Sequence, residues 1–190
     1  MAAGIGVAIG LAGMLVYFAV ALEPDANRAA RPAGAAPGWV EIKWTFAVDP
    51  WWLSKAFACD RATCGADITL LVRAKLGFCN CATGVADDAE LDRIGDFQMI
   101  SRQHSPIADG RPITVAGLKG RSRSYTMDSA VLVGGSALLI GVNDRCDALV
   151  ATAAIANPAS STPSSVAEQA VVDFLDSPRV KSWVETALGL

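Results

Sequence analysis

Histidine is almost missing from this 190-residue chain: His104 is the only one. A nucleophile–histidine–acid relay would have to be built on that single imidazole. His104 lies between Gln103 and Ser105 in a polar stretch, so no such arrangement is legible and no catalytic residue is assigned. The sequence has no Cys-x-x-Cys pair, which removes the common zinc pattern and the thioredoxin-type redox motif. Gly134 and Gly135 lack the spacing of a phosphate-cradling glycine loop and read as a turn or bulge. The acidic run Asp87, Asp88, Glu90, Asp92 lacks the ligand order and central glycine of a calcium loop. Charge is scarce at 18%, and the net value of −3 gives no support for nucleic-acid binding. No internal repeat is visible.

Charge is absent altogether from residues 2–22, AAGIGVAIGLAGMLVYFAVAL. As a helix this stretch would be about 31 Å long, close to the roughly 30 Å of a bilayer core. It is expected to be a transmembrane anchor (residues 1–22). The other reading is a cleaved signal peptide, for which Ala19-Val20-Ala21 has the small-residue form. Against cleavage, the apolar run is long and no Lys or Arg precedes it. Residues 23–38, EPDANRAARPAGAAPG, are mostly Ala, Pro and Gly. That composition cannot form a core and reads as a linker. A soluble domain then runs over residues 39–190, long enough for one core.

Within the domain, hydrophobic periodicity and turn chemistry suggest the elements. Residues 38–48 alternate as a strand, with Val40, Ile42 and Trp44 as the apolar set. Residues 49–59 read as a short helix with Asp49 as cap and Pro50 next. Strands are expected at 67–77 and 96–101. Asp87, with Glu90 three residues on, marks a helix start over 87–94. Residues 111–127 form a hairpin turning around Leu118–Gly120, and 136–155 a second turning at Asn143–Asp144. Helices follow at 165–175 and 177–188, the latter with Ser177 as cap and Pro178 next. Five to seven strands followed by helices define an α+β class, a mostly antiparallel sheet with helices packed on it.

The succession DDAELDRIGDFQMI, VAGLKGRSRSY, SALLIGVNDRCDALVATAA and VVDFLDSPRVKSW resembles the element order of Mog1/PsbP-like domains. The resemblance covers residues 39–190 and rests on order and hydropathy. It implies an α/β/α sandwich around an antiparallel sheet and an accessory or assembly role. It carries over no active-site residue.

All five cysteines, Cys59, Cys64, Cys79, Cys81 and Cys146, lie in the domain. Such a count suits an oxidising compartment. It places the domain outside the cytoplasm, on the periplasmic side, although Arg28 and Arg31 beside the apolar segment would argue for the inside. A strand over 67–75 covers about 30 Å, whereas bridged Cα atoms lie within about 7 Å. Cys64 before that strand therefore cannot easily reach Cys79 after it, and Cys59–Cys64 is expected as a local staple. Cys146 would take Cys79 or Cys81, with Cys81 favoured, leaving one thiol over.

The functional reading is a membrane-anchored, disulfide-stabilised binding or assembly protein with a protein partner in the envelope and no cofactor. Nothing in the sequence calls for catalysis. Arg121, Arg123 and Tyr125 share one strand face and, with the Trp51/Trp52 segment, are the expected contact residues. The plainer account of that face is an edge strand kept soluble by its charge. The alternative function is a thiol protein handling copper or disulfides through Cys79 and Cys81, since thiolates suit copper(I).

Overall fold

The computed structural model describes residues 38–44, 53–128, 135–156 and 163–190. By its contacts the chain divides after Ala30, and every described residue belongs to the unit Arg31–Leu190. The anchor expected at 1–22, nearly all of the linker, Trp51, Trp52 and the start of the expected 49–59 helix lie outside the described residues. Among those described, no helix is long and apolar enough to cross a membrane.

The elements in chain order are β1 (Trp39–Ile42), β2 (Ser54–Cys59), α1 (Arg61–Cys64), β3 (Asp67–Lys75), α2 (Asp88–Ile94), α3 (Phe97–Ile100), β4 (Gln103–Pro106), β5 (Arg111–Val115), β6 (Leu118–Asp128), β7 (Ser136–Asp144), β8 (Asp147–Ala156), α4 (Ser165–Leu175) and α5 (Pro178–Leu188). The strands form one antiparallel sheet ordered β1-β2-β3-β8-β7-β6-β4, with β5 also pairing β6. The α+β class holds, with eight strands among the described residues.

Alternation sorts the side chains onto two faces. Leu70, Val72, Leu138, Ile140, Leu149 and Ala151 join Val171, Phe174, Val180 and Val184 of α4 and α5 in the larger core. Leu71, Leu139, Val150 and Tyr125 join Leu91, Ile94, Phe97 and Ile100 of α2 and α3 in the smaller. Helices thus cover both faces. The α2 side packs closely because β7 carries Gly141: a Cβ there would lie within about 3 Å of the Leu91 and Ile94 side chains.

Four local expectations are corrected. Residues 54–59 are a strand, not the end of a helix, because their backbone bonds to β1 on one side and β3 on the other. Residues 97–100 are one helical turn, not a strand. That turn sends Phe97 and Ile100, three apart, into the same core, which extended chain could not do. In β1, Trp39 is the buried residue and Val40 is 53% exposed, reversing the expected face; the Trp39 ring stacks on Phe174 at 4.4 Å. The hairpin turns fall at Ala116–Gly117 and Arg145–Cys146, each two residues from where turn chemistry put it. Ala116 and Gly117 both have positive φ (54° and 81°), the geometry that suits the twist of a two-residue hairpin. Asp87 caps α2 by accepting from the Glu90 N–H at 2.8 Å. Ser164 caps α4, its hydroxyl accepting from the Ala167 N–H at 3.2 Å.

Candidate functional site: the stapled loop at 76–85

The connection after β3, residues 76–87, has no regular structure, yet its 76–85 part is tied down at most positions. Gly77 N–H donates to the Asp147 carboxylate at 2.6 Å. Cys79 N–H donates to the Cys146 carbonyl at 3.1 Å. Arg93 of α2 donates to the Phe78 carbonyl, and Asn80 N–H donates to Glu90 at 2.8 Å. The Asn80 side chain then accepts from Ala82 N–H at 2.9 Å, an Asx turn. Asn143 accepts from Val85 N–H at 2.9 Å. A disulfide joins Cys81 to Cys146 in the β7–β8 turn.

Beside the exposed Asn80 and Thr83, this scaffold presents two large apolar side chains. Leu76 is 48% exposed and Phe78 is 47% exposed. Lys75 lies 5.9 Å from the centre of the Phe78 ring, a cation–π contact. The Lys75 ammonium is itself fixed, donating to the Ile94 carbonyl at 2.6 Å and to Asp96 at 2.7 Å. The loop sits at one end of the sheet. Trp39 pairs with Cys59, and Cys59 with Ile68 at the start of β3. The described chain therefore begins at the opposite end of a nine-residue strand, about 30 Å in length.

Glu90 organises the α2 side of this grip. Arg93 and the Asn80 N–H hold its carboxyl below the usual range, and the Arg93 guanidinium is pushed up in return. Cys79 is the one free thiol and is buried. Burial pushes its pKa up, Glu90 and Asp147 push it further, and its backbone N–H and Arg93 oppose them. Its Sγ donates to the Arg145 carbonyl at 3.2 Å. The second disulfide, Cys59–Cys64, closes a five-residue separation around α1. With Cys81 bonded to Cys146, Cys79 and Cys81 are not a dithiol. Among the described residues no group of three or more His, Cys, Asp or Glu side chains could hold a metal ion.

The Arg121/Arg123/Tyr125 face is turned inward. Strand β6 is interior to the sheet, flanked by β7 on one side and by β4 and β5 on the other, so it is not an edge strand. Arg121 pairs with Asp88 and donates to the Gly110 carbonyl at 2.9 Å. Arg123 pairs with Asp92 at 3.1 Å and donates to the Ala108 carbonyl at 2.9 Å. Tyr125 is buried and its hydroxyl donates to Asp92. Burial first, then the Asp92 carboxylate, pushes the phenol pKa up. The Arg121 hydrogen bond and the Gly110 N–H hold the Asp88 carboxyl below its usual range. Asp88 and Asp92 of α2 are thus the counter-charges of β6. His104 is exposed on β4, with its ring stacked on Phe97 at 4.3 Å.

Leu76 and Phe78 are not among the contact residues expected from the sequence. The signal was available: two large apolar residues flanking Gly77 in a turn too short to bury them. No protein-family model matches the chain, and no curated protein matches it.

Proposed function

We propose that this protein is a non-enzymatic binding or assembly factor that presents Leu76 and Phe78 to a protein partner in an oxidising compartment. The single observation carrying this reading is that two exposed apolar side chains stand on a loop fixed by a disulfide and by hydrogen bonds from three other elements. Rigid presentation removes the ordering cost that a flexible loop would pay on binding, and aromatic anchors dominate contact energies. The two disulfides agree with an extracytoplasmic site. Residues 2–22 would supply the membrane tether, and the resemblance to Mog1/PsbP-like domains belongs to the same reading. The loop lies at the end of the sheet away from Trp39, which suits a partner reached from a tethered domain. The contact residues move from the Arg121/Arg123/Tyr125 face, whose charges are answered within the domain, to the loop.

The test is the double variant Leu76→Ser with Phe78→Ser, compared with Val166→Ser at another exposed apolar site (60% exposed). The loop variant is expected to fold and to lose the native complex in gradient sedimentation of source-cell envelopes, while the Val166 variant keeps it. An unchanged complex in the loop variant would refute the reading.

A further inference from the structure

Cys79 and Cys81 are both within bridging reach of Cys146. The Cα atoms of Cys81 and Cys146 are 4.2 Å apart. Cys79 is held against the same turn by two bonds: its N–H bonds to the Cys146 carbonyl at 3.1 Å and its Sγ to the neighbouring Arg145 carbonyl at 3.2 Å. A single backbone bond of that length holds the two Cα atoms within about 7 Å of each other, the outer limit of the span that a disulfide closes. The two candidates differ in exposure. Cys79 is 6% exposed, whereas Cys81 lies in an exposed stretch of the loop.

From this geometry we infer that Cys146 exchanges disulfide partners between Cys81 and Cys79, turning a sheltered thiol into an exposed one at Cys81. The Cys79 thiolate attacks Sγ of Cys146 and the Cys79–Cys146 bond forms. The Cys146–Cys81 bond breaks, and Cys81 leaves as a thiolate that takes up the proton Cys79 lost. No net oxidation or reduction occurs, so no outside oxidant is needed. The exposed Cys81 is then a modification site: its thiolate attacks a disulfide of another molecule, a mixed disulfide forms, and the attacked disulfide breaks with its second sulfur leaving as a thiolate.

Attack needs the thiolate, and the surroundings hold Cys79 as the thiol. Glu90 from α2 and Asp147 from β8 face it and oppose ionisation, while Arg93 from α2 favours it. Exchange is therefore slow at neutral pH and quickens as pH rises. The inference stands on the three-cysteine geometry and does not depend on Leu76 and Phe78 being contact residues.

The experiment uses the full-length oxidised protein, held without air at pH 7, 8 and 9, then pulsed with maleimide under native conditions, quenched in acid and mapped by peptide mass. Label is expected on Cys81 together with a Cys79–Cys146 bond, its initial rate rising about tenfold per pH unit while the thiol is mostly protonated. Cys79→Ala is expected to abolish Cys81 labelling. Cys81→Ser, folded under oxidation, is expected to contain the Cys79–Cys146 bond. Cys81 as the sole partner of Cys146 in the native protein at pH 9 would overturn the proposal. So would equal Cys81 labelling in Cys79→Ala, or a free Cys146 in folded Cys81→Ser.

Discussion

Tyr125 shows how a single residue on this sheet joins two elements. Its ring fills the smaller core against Phe97, with centroids 4.3 Å apart, while its hydroxyl donates to Asp92 of α2. Tyr125→Phe keeps the ring and leaves the carboxylate one donor short. A hydrogen bond to a charged group is worth about 1.5–3 kcal/mol, and Asp92 retains Arg123. The expected loss is therefore at the low end, about 1.5 kcal/mol, read by chemical denaturation. Asp88 and Glu90 carry a pH dependence. Their carboxyl pKa values are lower in the folded state than the roughly 3.9 and 4.3 of free Asp and Glu. The unfolded chain therefore binds protons first as pH falls. Their contribution is fully present above about pH 5 and is lost as pH drops through the folded values. Melting temperature is expected to fall on acidification below about pH 4, and Asp88→Asn should show a shallower acid limb than the parent.

At the scale of elements, legibility divides by range. The β3, β6, β7 and β8 patterns are strong because each strand has its alternation or its apolar run to itself. The start of α2 is written in Asp87 and its partner three residues on. The 54–59 and 97–100 segments are not, because a weak local preference was decided by distant partners. Ser54–Cys59 has strands waiting on both sides, and Phe97 and Ile100 have one core to reach. The Arg121 and Arg123 counter-charges were illegible for the same reason: Asp88 and Asp92 lie some thirty residues earlier. The choice between Cys79 and Cys81 was open in the sequence because both residues do lie beside Cys146. Two predictions belong here. Gly141→Val is expected to drive α2 off the sheet, since Leu91 and Ile94 occupy the space its side chain needs. Loss of hydrogen-exchange protection across residues 88–94 would register it. Phe174→Ala removes the ring on which Trp39 stacks and against which Phe57 packs edge-on at 4.7 Å. A cost of about 3–5 kcal/mol is expected for such a core truncation, with β1 the first strand to lose protection.

Across the whole molecule the two disulfides do different work. Cys59–Cys64 closes a short local loop, and Cys81–Cys146 joins residues 65 apart. In the chain-entropy account the long closure stabilises by about 4 kcal/mol and the short one by about 2 kcal/mol. Cys146→Ser is accordingly expected to lower the denaturation midpoint more than Cys59→Ser with Cys64→Ser. It also frees the 76–81 loop at its tip, so partner binding should weaken even under conditions where the variant is folded. Under the proposed function, staple and recognition are coupled in this way. The sheet supplies a rigid frame, α2 and the β7–β8 turn grip the loop, and Leu76 and Phe78 are left facing outward.

The most direct test of that account replaces Phe78 with a photo-crosslinking amino acid in the full-length protein and irradiates the source cells. The account predicts one discrete adduct to a protein partner from position 78, absent when the probe stands at Val166 and lost when Cys146→Ser is added. No adduct from position 78, or an equal yield of the same adduct from position 166, would contradict it.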